Sequence, residues 1–387
     1  MRVTEYFPPS RSVALERIHA VRPNDYASSR NFLDGAVTGL SPYITHGLVS
    51  LSEVHEGVTA LYELNSQHKF LMELGWREYF NHVWIHRGEG IFQSLHEGLL
   101  SDSAYAQELP VDVRQANTGL PVIDMAVQVL YNTGYLHNHA RMWLASYLVH
   151  IRKVHWRVAA DWLYGHLLDG DLASNHLSWQ WVAGTGSSKP YLFNAENVAR
   201  YAPEVWHSPQ SVVDVSYEDL DRMARNPGQR NFFARLRPSF GGLEEPPLFQ
   251  IPPMETGWSK PKQNTVNGCE VWLVHPWNLG DLPATLPEAT VVIGVLISEF
   301  HERWPWSERR WQFVNARMDE LASIRWHGSA QSIQKALEGA KSVRSSYTPH
   351  LGDWLPGLAE CEPQSQLFKP IGKCCNSFSK WWKLVSS

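Results

Sequence analysis

Residues 169–181 read DGDLASNHLSWQW and bring two carboxylates, two amides and two indoles into one short stretch. Asp169 and Asp171 flank a glycine, which is typical of a turn. Asn175 and Trp179 follow at the i, i+4 spacing that places two side chains on one face of a helix. The stretch therefore predicts a polar pocket, edged by an aromatic ring, where a turn leads into a helix.

Two upstream clusters repeat this helical spacing with side chains suited to a pocket. Their members stand at i, i+3 and i+4, and they are Glu73, Trp76 and Arg77 in one cluster and Asn138, Arg141 and Met142 in the other. The first cluster suits the rim of a cleft. For the second, a structural ion pair between Arg141 and one aspartate is common in helical bundles, and these residues alone favour that interpretation.

Composition narrows the classes of protein. The chain has 387 residues, 43% of them hydrophobic, a net charge of −5 and 18 tryptophans. This charge argues against nonspecific coating of nucleic acid, so any DNA contact must be a local patch. The four cysteines form no CxxC pair, and His137 and His139 point to different sides of a helix, so no metal site is expected. The N-terminus lacks a signal-peptide pattern, which predicts a cytoplasmic protein.

Hydrophobic periodicity divides the chain into two parts. Apolar residues recur at three- and four-residue spacing over 61–86 and 122–168, with a new helix expected near His137. Residues 241–267 are rich in proline and glycine and predict a linker between a helical domain at 1–240 and a small α/β domain at 268–387.

The last third of the chain predicts few regular elements. Residues 271–274 and 291–297 have the apolar character of buried strands. A helix should follow Ser307, with four inward side chains, Trp311, Val314, Met318 and Leu321. Two strands are too few for a full doubly wound sheet.

Several linked motifs resemble the flavin domain of the photolyase/cryptochrome family in order and spacing. The resemblance extends from about Tyr26 to Tyr201, and its motifs are TGLSPY at 38–43, ELGWREY at 73–79, TGLPVID at 118–124, HNHARM at 137–142 and residues 169–181. It implies a mainly α fold, a helical photolyase-type FAD-binding domain followed by the small C-terminal α/β domain.

The resemblance assigns FAD as the cofactor. It implies a phosphate-side group, Tyr26, Thr38, Gly39, Leu40 and Ser41, and a group around the isoalloxazine, Asn138, Arg141, Asp169, Asp171 and Asn175. In this scheme Asp171 accepts from the ring imide and Arg141 pairs with Asp169. Asn175 faces N5, where plant cryptochromes typically have aspartate.

The same resemblance implies catalytic and DNA-contacting residues. Trp179 and Trp156 match the inner members of the tryptophan chain that photoreduces flavin, and Tyr105 stands about where the outermost tryptophan is expected. Trp76 and Trp181 would stack on a flipped lesion, and Met142 would be an apolar contact. Glu73 and Asn138 would be polar catalytic partners, and Arg77 would contact a phosphate.

The resemblance implies that the protein splits cyclobutane pyrimidine dimers in DNA by electron transfer from excited reduced FAD. The related (6-4) enzymes carry histidines where this chain has Asn138 and Met142, which favours the cyclobutane dimer. Two alternatives stay open: a blue-light photoreceptor that signals through a partner, with the C-terminal domain as one possible contact, and a scaffold without flavin.

The chain departs from the family pattern in two places. The flavin motifs begin near residue 26, without the nucleotide-fold antenna domain that normally precedes them, and the segment from Cys269 could replace that domain from the other end. Whether it binds an antenna pigment is open. Residues 176–178, His-Leu-Ser, replace the usual polar residue and two glycines, which predicts a tighter pocket.

Overall fold

The computed structural model describes residues 6–228, 242–253 and 256–386. Helices dominate up to residue 224. They are α1 (Arg11–Ala20), α2 (Pro23–Ser29), α3 (Ser41–Thr45), α4 (Leu51–Thr59), α5 (Lys69–Arg87), α6 (Val111–Arg114), α7 (Pro121–Thr133), α8 (Asn138–Ser146), α9 (Trp156–His166), α10 (Leu172–Ala183), α11 (Ala195–Tyr201) and α12 (Tyr217–Ala224). A π-helical turn at Tyr147–Ile151 continues α8.

The boundary between α7 and α8 follows its sequence signals. Pro121 occupies the first turn of α7, where its missing N–H costs nothing. Gly134 ends the helix in the left-handed conformation with φ of 66°. His137 caps α8 by accepting a hydrogen bond from the His139 backbone N–H. The expected helix start near His137 is therefore confirmed.

The start of α5 differs from the expectation that a helix begins near residue 61. The helix begins at Lys69, after His68 accepts from the Phe70 N–H. In the preceding segment the Asn65 side chain accepts from the Gln67 N–H. Such local side-chain bonds compete with the helical hydrogen-bond ladder, so the apolar periodicity before residue 69 does not produce a helix.

The rest of the described chain forms a parallel sheet with helices around it. The helices are α13 (Ser298–Arg303), α14 (Glu308–Leu321), α15 (Ala330–Leu337) and α16 (Phe378–Val385), and the strands are β1 (Leu248–Phe249), β2 (Glu270–Val274), β3 (Val291–Ile297), β4 (Trp306–Ser307), β5 (Ile324–Gly328), β6 (Ser342–Ser346) and β7 (Glu360–Glu362). β1 and β4 pair separately and antiparallel.

The large sheet has five parallel strands in the order β5-β3-β2-β6-β7. The predicted strands β2 and β3 are confirmed, but the expectation of too few strands for a doubly wound sheet was wrong. β6 reads SVRSS and β7 reads ECE, so neither shows the apolar run of a buried strand. The strand order reverses between β2 and β6, where doubly wound sheets open a crevice at the carboxyl ends of the strands.

This crevice lies against the helical part of the chain. At its edge His275 Nε2 lies 2.8 Å from the Ser346 carbonyl oxygen. The ring of Trp277 stacks on His350 with centroids 4.5 Å apart, and His350 also contacts Trp84 of α5 edge-on. The carboxyl end of the sheet therefore faces the bundle.

The junction between the helical part and the sheet is one continuous hydrophobic cluster. It includes Tyr43 of the bundle and Trp272, Trp306 and Trp311 of the last third of the chain, all fully buried. The expected cap at Ser307 is only partly present, because its hydroxyl makes no hydrogen bond to the helix. The division of the chain at 241–267 stays a prediction, although Glu245 of that segment is bound to the bundle by the Trp162 indole N–H.

None of the helices within the described ranges combines the length and the apolar character that a membrane crossing requires.

Candidate functional site

The turn from Leu168 to Asp171 joins α9 to α10 and is held by its backbone carbonyls. The Leu168 oxygen lies 2.9 Å from His46 Nε2, and the Asp169 oxygen accepts from Thr45 Oγ1 at 3.1 Å. The Gly170 oxygen accepts from Arg310 Nη2 at 2.6 Å. Three successive carbonyls are thus fixed by side chains from two distant parts of the chain, so the orientation of both aspartates is set.

Arg141 and Asp169 form a bidentate ion pair at the base of the bundle. Arg141 Nη2 donates to both carboxylate oxygens of Asp169 at 2.9 and 2.8 Å, and its Nε donates to the Leu136 carbonyl. The Asp169 side chain is 3% exposed. The guanidinium also lies over the Tyr135 ring, 5.5 Å from its centroid. This is the pair predicted from the sequence.

Asp171 caps α10 and keeps part of its carboxylate free. One oxygen accepts from the Ser174 N–H at 2.7 Å, and the other lies 3.5 Å from His350 Nε2. Burial raises the pKa of Asp171, but the Arg77 guanidinium, His350 and Ser174 outweigh it and leave that pKa below its ordinary value. Asp171 is therefore an ionised acceptor with room for a further N–H donor, as a flavin imide would provide.

Asn175 and Trp179 lie on the buried side of α10. The Asn175 amide donates to the Ala160 carbonyl at 2.8 Å, and its Oδ1 accepts no hydrogen bond within the described ranges. The next residue, His176, is fully buried, with Nε2 2.8 Å from Asp161 and Nδ1 2.8 Å from the Leu172 oxygen. The histidine that departs from the family pattern thus ties α10 to α9.

The predicted phosphate-side segment runs into α3. Gly39 adopts φ of 61°, which favours glycine, and Thr38 Oγ1 accepts from the Leu40 N–H at 3.3 Å. A side chain at Gly39 would collide with Arg17. Arg17 is a cation that sequence reasoning missed, and no local motif marks it. The segment offers backbone amides, hydroxyls and this cation, which suit a pyrophosphate.

Tyr26 lies behind this segment. Its ring packs edge-on against Phe70 at 5.6 Å between centroids, and burial raises the pKa of its hydroxyl, with a further contribution from Glu73. The phenol is therefore neutral and available as a hydrogen-bond donor.

The predicted substrate residues are exposed or partly exposed to solvent. Glu73 Oε1 lies 3.2 Å from Arg30 Nε, and this carboxylate is 38% exposed. Asn138 is exposed and its amide lies 3.6 Å from the Met142 sulfur, which confirms their common face. Trp181 is 40% exposed. We call these more exposed residues the rim of the candidate site and the buried Arg141–Asp169 pair its centre.

Arg77 belongs to the centre rather than to the rim. Its Nη2 donates to Thr45 Oγ1 at 2.7 Å, and its charge acts on Asp171. The contact of Arg77 with a DNA phosphate stays a prediction.

The ring of Trp76 already has a stacking partner. Phe378 of α16 lies parallel to it, with centroids 4.0 Å apart and planes at 9°. The same tail helix rests on α5 through Trp382, which a side chain at Gly75 would hit. Only one face of the Trp76 ring is therefore left for a base.

The expected relay residues are buried between α9 and α10. Trp156 and Trp179 are each 3% exposed, and the Trp156 indole donates to Ser94. His155 separates Trp156 from Tyr105, with ring centroids 5.9 and 6.2 Å apart. Burial raises the pKa of Tyr105, so its oxidation requires a proton acceptor.

Within the described ranges, no group of three or more histidine, cysteine, aspartate or glutamate side chains is arranged to hold a metal ion.

Two further residues that sequence reasoning missed are Arg310 and His350. Both reach the Asp169–Asp171 turn from the last third of the chain, and no local spacing could have connected them to it.

Part of the helical bundle is similar to a known family of domains. Residues 70–206 match the family model described as the FAD binding domain of DNA photolyase. The chain is similar to the deoxyribodipyrimidine photo-lyase of Synechococcus sp., with 32% identity over 228 residues that cover 51% of this chain and 46% of that protein. It is 35% identical over 167 residues to that of Streptomyces griseus, which covers 42% of this chain and 36% of that protein.

Cryptochromes are among the similar proteins as well. Arabidopsis thaliana cryptochrome-1 is 29% identical over 239 residues, covering 51% of this chain and 34% of that protein. The crystal structure of the Synechocystis sp. PCC6803 cryptochrome overlaps with a TM-score of 0.44 and 28% identity, covering 50% of this chain and 43% of that one. The chain thus spans less than half the length of these relatives.

The side chains at the site fit the group that this family model names. Asp171 has an open acceptor oxygen, and Asn175 has a free amide oxygen. The Arg141–Asp169 ion pair is largely buried and suits contact with a polar ring. Residues 70–206 are therefore similar, in sequence and in the side chains they bring together, to the FAD binding domain of DNA photolyase.

Proposed function

We propose that this protein is a light-driven DNA repair enzyme, a deoxyribodipyrimidine photo-lyase that splits cyclobutane pyrimidine dimers. The observation that carries the proposal is the contrast between the buried Arg141–Asp169 ion pair and the exposed side chains of Asn138 and Trp181. Curated relatives named for this activity, at 28–35% identity, support it.

FAD would be held by the two groups of residues already described, one near its isoalloxazine ring and one near its pyrophosphate. Asp171 would accept from the ring imide, and Asn175 would accept at N5 through its free amide oxygen. Thr38, Gly39 and Ser41 would face the pyrophosphate. When bound, reduced FAD supplies the light-excited electron that splits the dimer and returns to the cofactor, so the repair involves no net redox change.

The chain's own residues position the lesion. A dimer has to leave the base stack to approach a buried cofactor, and a protein lowers that cost by stacking and hydrogen bonding to the flipped bases. Trp181 and the free face of Trp76 would supply the stacking surfaces. Glu73 and Asn138 would supply polar contacts, and Glu73 would exchange its bond with Arg30 for one with the lesion.

Met142 favours the cyclobutane dimer over the (6-4) product. Its sulfur lies 3.6 Å from the Asn138 amide, so the two side chains form one surface that holds no acidic or basic group. Rearrangement of a (6-4) product needs a proton donor at such a position. This surface has none to offer, which suits ring splitting without proton transfer.

A blue-light photoreceptor without repair activity is the second candidate. The similarity to Arabidopsis thaliana cryptochrome-1 favours it, as does the stacking of Phe378 on Trp76, which reduces the surface open to a lesion. A partner would then respond to the flavin, and the C-terminal domain is one surface for such a partner.

Matched oligonucleotides separate these functions. Duplexes carrying one cyclobutane thymine dimer or one (6-4) product are incubated with photoreduced protein under blue light and in the dark. The proposal predicts restored thymines from the first duplex in the light only. A protein that binds both duplexes yet restores neither would be a photoreceptor, and repair of the (6-4) duplex alone would contradict the substrate assignment.

A further inference from the structure

The Gly170 carbonyl is bound by a buried cation from the other end of the chain. Arg310 on α14 is fully buried, and its Nη2 donates to the Gly170 oxygen at 2.6 Å. Its guanidinium lies 4.9 Å from the Tyr164 ring centroid and 4.0 Å from that of Trp306. A side chain at Gly170 would come within 2.6 Å of Arg310 Nη1, which explains the glycine.

The charge of Arg310 is not neutralised by a direct ion pair. No carboxylate in the described ranges lies within salt-bridge distance of it, and its Nε and Nη1 have no hydrogen-bond partner there. Burial lowers the pKa of Arg310, and Tyr164, Asp169 and Asp171 offset this only in part. Burying a cation without such a pair is costly, and proteins usually compensate that cost with a nearby anion.

The surroundings of the Asp169–Asp171 turn carry an excess of positive charge. Three guanidinium groups, those of Arg77, Arg141 and Arg310, act on the two carboxylates of the turn. Burial, with a smaller contribution from Arg310, lowers the pKa of the neighbouring His350 to about 3, so this ring is neutral. A buried region with one surplus positive charge stabilises an anionic ligand, because charges interact strongly away from water.

We propose that Arg310 is a positioning residue for the flavin, which fixes the Asp169–Asp171 turn and favours the anionic reduced form of FAD over the oxidised form. The C-terminal α/β domain then completes the flavin site rather than standing beside it. The inference rests on the proposed function, in which the reduced anionic cofactor is the working state.

The test compares neutral variants of two buried arginines on α14. Arg310→Met removes the charge with little change in volume, and Arg310→Gln removes the charge but keeps an N–H donor for Gly170. Arg317→Met is the matched control, because Arg317 is also buried but donates to the Leu279 carbonyl and pairs with Glu320. For each full-length protein, dissociation constants are measured anaerobically for oxidised and for reduced FAD.

The proposal predicts that the affinity for reduced FAD relative to oxidised FAD falls about tenfold in Arg310→Met, which corresponds to about 1.4 kcal/mol. Arg310→Gln should show the same loss, and it provides the test if Arg310→Met fails to fold. Arg317→Met should keep the wild-type ratio. An unchanged ratio in both Arg310 variants, or an equal loss in Arg317→Met, would overturn it. So would wild-type protein that binds neither form.

Repair of dimer-containing DNA is measured on the same samples, so the two proposals can fail separately. Absent repair with the predicted change in affinity ratio refutes the repair function alone. Normal wild-type repair with no change in the ratio refutes the role of Arg310 alone.

Discussion

Asp169 and Asp171 are two positions apart and are stabilised in different ways. Asp169 is neutralised by a direct bidentate pair with Arg141, which uses both of its oxygens. Asp171 is held by the Ser174 N–H and by charges at longer range, so one of its oxygens remains available. One carboxylate therefore maintains the site, and the other can bind a ligand.

The first prediction concerns the buried pair. Asp169→Asn leaves the Arg141 guanidinium without its counter-charge in a mostly buried position, which should lower the free energy of unfolding by about 3 kcal/mol. Urea denaturation of the apoprotein measures this loss. The exposed pair Asp219–Arg222 is the control, since Asp219→Asn should cost at most about 1 kcal/mol. Equal losses in the two variants would contradict the assigned role.

The second prediction concerns acid stability. The folded pKa of Asp171 lies below the unfolded value of about 3.9, so the ionised group stabilises the fold above that pH, and this contribution is lost as the pH falls through the folded pKa. Arg77→Met should raise the folded pKa of Asp171 and shift acid unfolding to higher pH. Arg87→Met, an exposed change on the same helix, should not. Circular dichroism during acid titration compares the three proteins.

At the scale of elements, α9 and α10 carry the predicted electron relay between them. Trp156→Phe and Trp179→Phe should each slow photoreduction of bound FAD, because phenylalanine is far harder to oxidise than tryptophan. Trp162→Phe is the control, as a buried tryptophan on α9 whose indole is bound to Glu245. Transient absorption after a blue flash gives the rates. Unchanged kinetics in both relay variants would refute the relay.

Some elements could be predicted from the sequence because their signals are local. The end of α7 at Gly134 and the start of α8 after His137 follow from capping chemistry within a few residues. The strands β6 and β7 could not be predicted, because polar residues fill them and neighbouring strands fix their pairing.

The residues of the candidate site also fall into a group that could be predicted from the sequence and a group that could not. The Arg141–Asp169 pair was predicted because both residues stand in motifs that the sequence displays. Arg17, Arg310 and His350 were missed because each reaches the site from a distant segment, and only the folded chain shows that they meet.

At the scale of the whole molecule, the carboxyl edge of the parallel sheet lies against the turn that carries Asp169 and Asp171. His350 lies beside Asp171, and Arg310 binds Gly170, so two of the contacts that shape the site come from the sheet region. That this region replaces an antenna domain stays a prediction, as does any pigment it would hold.

The most direct test of the repair function is one sample measured twice. Purified full-length protein is first examined by absorption spectroscopy for bound FAD, and then, after photoreduction, given DNA with a single cyclobutane thymine dimer under blue light. We expect a flavin spectrum and restored thymines that depend on light and rise with the fraction of protein carrying FAD. A flavin-loaded, fully reduced sample that leaves the dimer intact in the light would contradict the proposed function.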